Sequence, residues 1–315
     1  MNQILHIAGQ VALVILLLPV VAFAAGIAVN TCIRIKNRSL LKNPVGQFLQ
    51  IDGHNMNVLV KGRGSHTLVF LSGLGTTSPV LDFKALYSQL ENEFRIVVPE
   101  KFGYGFSDIV KTSRSFAENV ELYRRCLSKL GMEGPYILCA HSISGLEAMF
   151  WAQRYPCEVE AIVGLDTTPA DFAQEQIEKV PSTRRIMQVK VLNLCGLSRF
   201  GRPKCLPNLT KEEKRIIQEL SVRNNFNDVI VSEFQDVPNI GAAISSAPLP
   251  TQPCIHFIAQ RDPGISWVEK WRRTHQEYAD ISMDGRLIQL NCGHYVHDFE
   301  YEKIAEEIRE LAKRL

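Results

Sequence analysis

The chain has 315 residues, a formal net charge of +2 and a hydrophobic content of 46%. That length is ample for one large core with accessory segments. The near-balanced charge excludes a nucleic-acid partner recruited by a basic surface, and no internal repeat or low-complexity run is apparent.

The first element is an apolar run. Val11 to Val29 contains no polar side chain, and the apolar character extends from Ile4 to Ile33 with only His6, Gln10, Asn30 and Thr31 interrupting it. As a helix it is long enough to cross a hydrocarbon core of about 30 Å, and Pro19 is tolerated in such a helix. The competing reading is a cleaved signal peptide, because Ala22-Phe23-Ala24 resembles a small-x-small cleavage site and would give a mature N-terminus near Ala25. Against cleavage, no Lys or Arg precedes the run. Arg34, Lys36, Arg38 and Lys42 follow it, with no acid before Asp52. Positive charge is retained in the cytoplasm, so the domain that follows is expected there, with the basic cluster near anionic headgroups. Residues 1–42 are therefore expected to be a membrane anchor and linker, and residues 43–315 a separate globular domain.

Strands are expected at Gln47–Ile51, Asn57–Lys61, Thr67–Leu71 and Arg95–Pro99, from short apolar and β-branched runs. Thr67–Leu71 ends in Ser72-Gly73-Leu74-Gly75, a turn that can leave a backbone N–H unpaired; Leu74 is the candidate donor. A helix over Ser115–Leu130 opens with a capping box, Ser115 with Glu118, and stops at Gly131. The run Tyr136-Ile137-Leu138 then enters Cys139-Ala140-His141-Ser142-Ile143-Ser144-Gly145. Small residues two before and two after Ser142 permit a very tight strand-to-helix turn that exposes its hydroxyl. The N–H of Ile143 is the second candidate donor for an oxyanion.

Further strands are expected at Ala161–Gly164, followed by Asp166, at Cys254–Ala259, followed by Gln260-Arg261-Asp262, and at Arg286–Leu290, followed by Gly293-His294. Tyr301–Leu315 carries Ile304, Ile308, Leu311 and Leu315 on one helical face. Between Asp166 and Pro253 the strand–helix alternation stops. Thr168–Pro250 is expected to be mainly helical, with a second capping box at Thr210 and Glu213, and to form a lid.

The eight cysteines include no Cys-x-x-Cys pair. Cys126, Cys139, Cys254 and Cys292 fall in expected core elements, which suits a reducing compartment. Export would instead allow Cys195 and Cys205 to pair. No His-Glu-x-x-His or His/Asp cluster in the sequence calls for a catalytic metal, and Gly103-x-Gly105 lacks the third glycine of a dinucleotide turn. No cofactor is expected.

Taken together, Leu71–Gly75, Glu100–Asp108, Ala140–Gly145, Gln260–Asp262 and Gly293–His297 resemble the α/β-hydrolase superfamily, within its esterase and lipase-like branch with a helical lid. The likeness runs from about Gly46 to the C-terminus. It implies a mostly parallel sheet flanked by helices and a Ser, Asp, His order of catalytic residues. Ser142 would attack, His294 would carry the proton, and Asp262 would orient His294; Asp166 is the alternative acid. His141 would pack beside the site. The family turn commonly reads His-Gly where this chain has Ser72-Gly73. Relatives that attack with an aspartate do not fit Ser142. The resemblance implies a serine hydrolase acting on a small-molecule ester or lipid-like substrate, and the apolar run from Val11 to Val29 adds the expectation of a membrane anchor. The alternatives are a non-catalytic binding protein of the same fold and a cofactor-free haloperoxidase or perhydrolase.

Overall fold

The computed structural model describes residues 2–174, 181–200, 207–260 and 266–315. Eight strands form one sheet: β1 (Gln47–Ile51), β2 (His54–Lys61), β3 (Thr67–Leu71), β4 (Arg95–Glu100), β5 (Tyr136–His141), β6 (Val159–Leu165), β7 (Cys254–Ala259) and β8 (Gly285–Leu290). Their spatial order is β1-β2-β4-β3-β5-β6-β7-β8. β2 pairs antiparallel with β1 and β4, and every later pairing is parallel.

The central strands are apolar without interruption because both faces are covered. Every residue of β3 and β5 is buried. Strand alternation divides them between two cores. Val69, Leu71, Leu138 and Ala140 join the core on one face, whereas Leu68, Phe70, Ile137 and Cys139 join the other. The helices divide accordingly. α2 (Pro79–Asp82) and α3 (Lys84–Leu90) follow β3; α4 (Phe116–Lys129) lies against the first core and α5 (Ser144–Arg154) beside it. The capping box at Ser115 and Glu118 is formed. α12 (Tyr301–Ala312) buries Ile304, Ile308 and Leu311 in the second core; Leu315 lies beyond its end and is exposed.

From β3 the chain crosses to β4 on one side and later returns to β5 on the other. Such a reversal opens a crevice at the carboxyl ends of the diverging strands. The turns after β3 and β5 therefore lie side by side, and this positions the site.

Between β6 and β7 lie α6 (Ala170–Gln174), α7 (Thr183–Leu194), α8 (Lys211–Asn224) and α9 (Asp228–Ser245); α8 opens with the capping box of Thr210 and Glu213. α10 (Ser266–Ile281) joins β7 to β8, and the short α11 (Val296–Phe299) precedes α12. Asp262 and Cys205 lie outside the described residues, and Cys195 is a free thiol. At the N-terminus, α1 (Asn2–Asn37) is one continuous helix through Pro19. The Gly9–Leu41 stretch is long and apolar enough to cross a membrane, and its most apolar part is buried against nothing.

A buried polar cluster ties the first core to α9. Lys101 is fully buried, with Nζ 3.1 Å from Glu147 Oε1 and 3.1 Å from Glu233 Oε1. Asn119 Nδ2 donates to both carboxylates, at 3.1 Å and 2.6 Å, and Tyr123 Oη donates to Glu147 Oε2 at 3.2 Å. Two carboxylates thus face one ammonium. Burial pushes the Glu147 carboxyl up to about 7, against the pull of Lys101 and with the push of Glu233.

A carboxyl raised in the folded state binds its proton more tightly there than in the unfolded chain. Its stabilising protonation is complete below the unfolded value of 4.5 and is lost as pH rises through about 7. Glu147→Gln keeps the shape and removes this dependence. The melting temperature of the variant relative to the parent should therefore climb as pH is raised from 4.5 to above 7. A pH-independent difference in thermal melts would contradict the raised carboxyl.

Candidate active site

The turn between β5 and α5 carries Ser142 in a left-handed conformation, with φ of 58°. For a non-glycine residue this costs on the order of 1–3 kcal/mol, so the surroundings must enforce it. They do so from three sides. The Ser142 N–H donates to the Leu165 carbonyl at 3.1 Å, and the Ser142 carbonyl accepts from the Thr168 N–H at 2.9 Å. The Ser144 hydroxyl donates to the carbonyls of Leu71 and His141, at 2.7 and 2.8 Å. Ser144 therefore satisfies backbone acceptors as well as being small. A Cβ at Gly145 would come within 2.5 Å of Thr167 Cβ, and one at Gly73 within 3.1 Å of Ser142 Cβ. Both glycines are set by the side chains packed against them, Thr167 at Gly145 and His141 with Ser142 at Gly73.

His294 follows β8 and reaches back over the turn. Its Nε2 lies 2.9 Å from Ser142 Oγ, and its Nδ1 lies 2.6 Å from Asp166 Oδ2. The Asp166 side chain is completely buried and that of His294 is partly exposed. Asp166 is itself left-handed, with φ of 48°. Its N–H donates to the Phe257 carbonyl at 2.7 Å, and its Oδ1 accepts from the Ala259 N–H at 3.0 Å. Strand β7 thus fixes the carboxylate so that the other oxygen faces the imidazole. The acceptor on Nδ1 is the acid that the sequence reading held second; Asp262, which it favoured, is outside the described residues. The chain order Ser, Asp, His admits both, because β6 and β7 are each followed in the sequence by an aspartate. Only the adjacency of β5 and β6 brings one of them under His294.

Gly73 packs against Ser142, which puts the Ser72–Gly75 turn beside the hydroxyl. Among the described residues, no acceptor is placed against the N–H of Leu74 or of Ile143. The next N–H, Gly75, donates to Tyr104 Oη at 3.1 Å, and Tyr104 Oη in turn hydrogen-bonds Glu233 Oε2 on α9.

Sequence reading passed over this second layer. Glu100, at the end of β4, accepts from Ser78 Oγ, Val80 N, Asn57 Nδ2 and Phe106 N. A Cβ at Gly105 would fall 1.9 Å from its carboxylate. Arg223 and Asn224 of α8 donate to the Gly105 carbonyl, both at 2.8 Å, and Asn227 donates to Gly103 at 2.7 Å. The available signal was the run Glu100-Lys101 directly after apolar β4, where two charges enter a core position.

Behind His294, the His141 ring packs on the rings of His294, Tyr295 and His297, with centroids 4.8, 5.0 and 4.5 Å apart. His141 Nε2 lies 3.3 Å from the His294 carbonyl. His297 is buried, with Nε2 3.3 Å from Asp82 Oδ2. Asp82, His141 and His297 bring three possible metal-ligating atoms within 4.8 Å of one another. No metal was expected from the sequence, and these three are far apart in it.

Known proteins share this fold. A family model described as alpha/beta hydrolase fold matches residues 66–191. The uncharacterized protein YbdG of Bacillus subtilis (strain 168) is 28% identical over 292 residues, covering 89% of this chain and 89% of that protein. The 2-(acetamidomethylene)succinate hydrolase of Mesorhizobium japonicum is 29% identical over 128 residues, or 40% of this chain and 44% of that enzyme. Among solved structures, a thermophilic esterase from Thermogutta terrifontis superposes with a TM-score of 0.63 at 17% identity, over 85% of this chain and 99% of that one. The strand order, the turn at Ser142 and these likenesses agree: the chain has the alpha/beta hydrolase fold, and its residues 66–191 match the model of that family.

Proposed function

We propose that the chain is a membrane-anchored serine hydrolase that cleaves carboxylic esters through an acyl-enzyme. The observation that carries this reading is the unbroken hydrogen-bonded series Asp166, His294, Ser142, with the serine on a strained, left-handed turn. In this reading Ser142 Oγ attacks the ester carbonyl while His294 Nε2 takes its proton. The Leu74 and Ile143 N–H groups stabilise the oxyanion, a contribution worth about 3 kcal/mol per donor in comparable sites. His294 then delivers the proton to the departing alcohol, and a water activated by the same nitrogen releases the acid. Asp166 holds the imidazole in the tautomer with its proton on Nδ1 and stabilises the imidazolium. A binding protein of this fold has no use for such an aligned series. A perhydrolase would share it and add dependence on peroxide.

The anchor reading is supported by the length and exposure of α1 and by its contacts with the inserted helices, which a cleaved leader would forfeit. Arg34, Lys36, Arg38 and Lys42 favour a cytoplasmic domain. Esters are the proposed substrates; a small-molecule or lipid-like ester suits a site beside a membrane.

Ser142→Ala should lower turnover of a short p-nitrophenyl ester by about 10³-fold or more and abolish fluorophosphonate labelling, with the melting temperature retained. A variant that is still labelled at the parent rate would remove Ser142 from the reaction.

Asp166→Asn should cut the same turnover by about 10⁴-fold, since the amide leaves the imidazole in the wrong tautomer. Asp262→Asn should stay close to the parent rate. The opposite ranking in kcat would reassign the acid.

The full-length chain should remain in the membrane pellet after carbonate washing, and external protease should leave the hydrolase domain intact in whole cells. Release by carbonate would remove the anchor; cleavage from outside would reverse the orientation.

A further inference from the structure

The inserted helices meet α1 well inside its apolar stretch. Cys195, just after α7, has Sγ 3.7 Å from the Phe23 carbonyl, and a Cβ at Gly26 would sit 3.2 Å from Cys195 Cβ. Small residues allow such close helix contact within a bilayer. Asn30, a buried polar side chain of α1, donates to the carbonyls of Asn193 and Leu194 at 3.3 and 2.9 Å, satisfying the end of α7. Arg199 bridges Asn30 and Glu219. Further along, Asn37 hydrogen-bonds Glu219 and Arg215 of α8.

These contacts provide a depth scale. At 1.5 Å per residue, Phe23 and Asn37 are separated by about 21 Å along α1. The polarity of the inserted helices changes over that distance. At the Asn37 level, α8 presents Lys211, Lys214 and Arg215, and a groove there is lined by Arg34 and Arg38. In the α7 segment, whose end meets α1 between Phe23 and Asn30, Met187, Val191, Leu192, Leu194 and Leu197 are all exposed large apolar side chains within an eleven-residue stretch. Met187, Val191 and Leu194 share one helical face, at the i, i+4, i+7 spacing. Lys190, near that face, is neutralised by Asp228 at 2.8 Å, while Arg184 and Arg185 sit at the start of the helix, where long side chains can reach headgroups.

We propose that the α7 segment, residues 183–197, is a membrane-docking surface seated in the same phospholipid leaflet that receives the C-terminal half of α1. This rests on the reading of α1 as an anchor. If α1 spans, a segment packed on Phe23 and Gly26 lies about 12–17 Å below the level of Arg34 along α1, inside the acyl region of that leaflet, whose hydrocarbon is about 15 Å deep. The leaflet then covers the exposed apolar face. α7 is tied to the start of α9 through Lys190 and Asp228, and α9 holds the Ser72–Gly75 turn through Glu233 and Tyr104. Seating α7 in lipid therefore puts the carboxyl edge of the sheet against the leaflet, and the substrate class becomes an acyl ester dissolved in lipid.

The test uses the full-length chain in vesicles of phosphatidylcholine and phosphatidylglycerol. A Met187→Cys variant is treated with a membrane-impermeant maleimide, and modification is read by peptide mass spectrometry against the exposed native Cys157. The expected rate at position 187 is at least about tenfold below that of Cys157, as for a side chain under the headgroups. In parallel, Met187→Asp/Val191→Asp should lower turnover of a long-chain ester carried in the vesicles, relative to a short soluble ester, by about tenfold or more. Carbonate washing of the same vesicles separates the two readings. A retained chain with position 187 modified as fast as Cys157, or an unchanged rate ratio, overturns the docking surface alone; a released chain overturns the anchor and the docking surface with it.

Discussion

The backbone of Ser142 is the constraint on which the rest of the structure depends. A serine at φ of 58° is unfavourable by itself, and two of its backbone hydrogen bonds run to Leu165 and Thr168, on either side of Asp166. The bonds that hold the turn therefore also hold the carboxylate segment at the end of β6. Thr167, between those bonds, packs so closely on Gly145 that no side chain fits. Distortion at Ser142 and placement of Asp166 are one packing problem, solved by adjacent parallel strands that end at the same level.

A second constraint surrounds this one. The end of β4 and the loop after it bury Glu100 and Lys101. Unpaired buried charge is costly, so each group demands partners from distant parts of the chain. Lys101 takes Glu147 from the helix that follows Ser142 and Glu233 from the inserted helices. Tyr104 connects Glu233 to the N–H of Gly75, one residue past the Leu74 N–H. The position of α9 and the shape of the turn after β3 are consequently coupled through buried hydrogen bonds. Such coupling makes the inserted helices part of the site's architecture as well as a cover for it.

The inserted helices also face outward. Their inner side satisfies Lys101 and the 103–107 loop, and their outer side meets α1 through Asn30, Asn37 and Cys195. One insertion therefore connects the apolar N-terminal helix to the turn beside Ser142. Asn30 fits this double role: a polar side chain in an apolar helix is tolerated because carbonyls at the end of α7 use both of its protons.

The sequence by itself determined the local features. Small residues around Ser142, the capping boxes at Ser115 and Thr210, the apolar central strands and the uninterrupted run from Val11 to Val29 are all short-range patterns, and each reports a short-range physical requirement. The tertiary structure decided which acid meets His294, because Asp166 and Asp262 both follow strands, and the difference between them is a distance across the sheet. It also decided the partnerships of Lys101 with Glu147 and Glu233, of Asp82 with His297, and of Asn30 with α7, which join residues separated by 46 to 215 positions. Sequence periodicity shows that a group is to be buried or exposed. Which buried charge answers which is fixed only when strand order and helix packing bring the two into the same low-dielectric space.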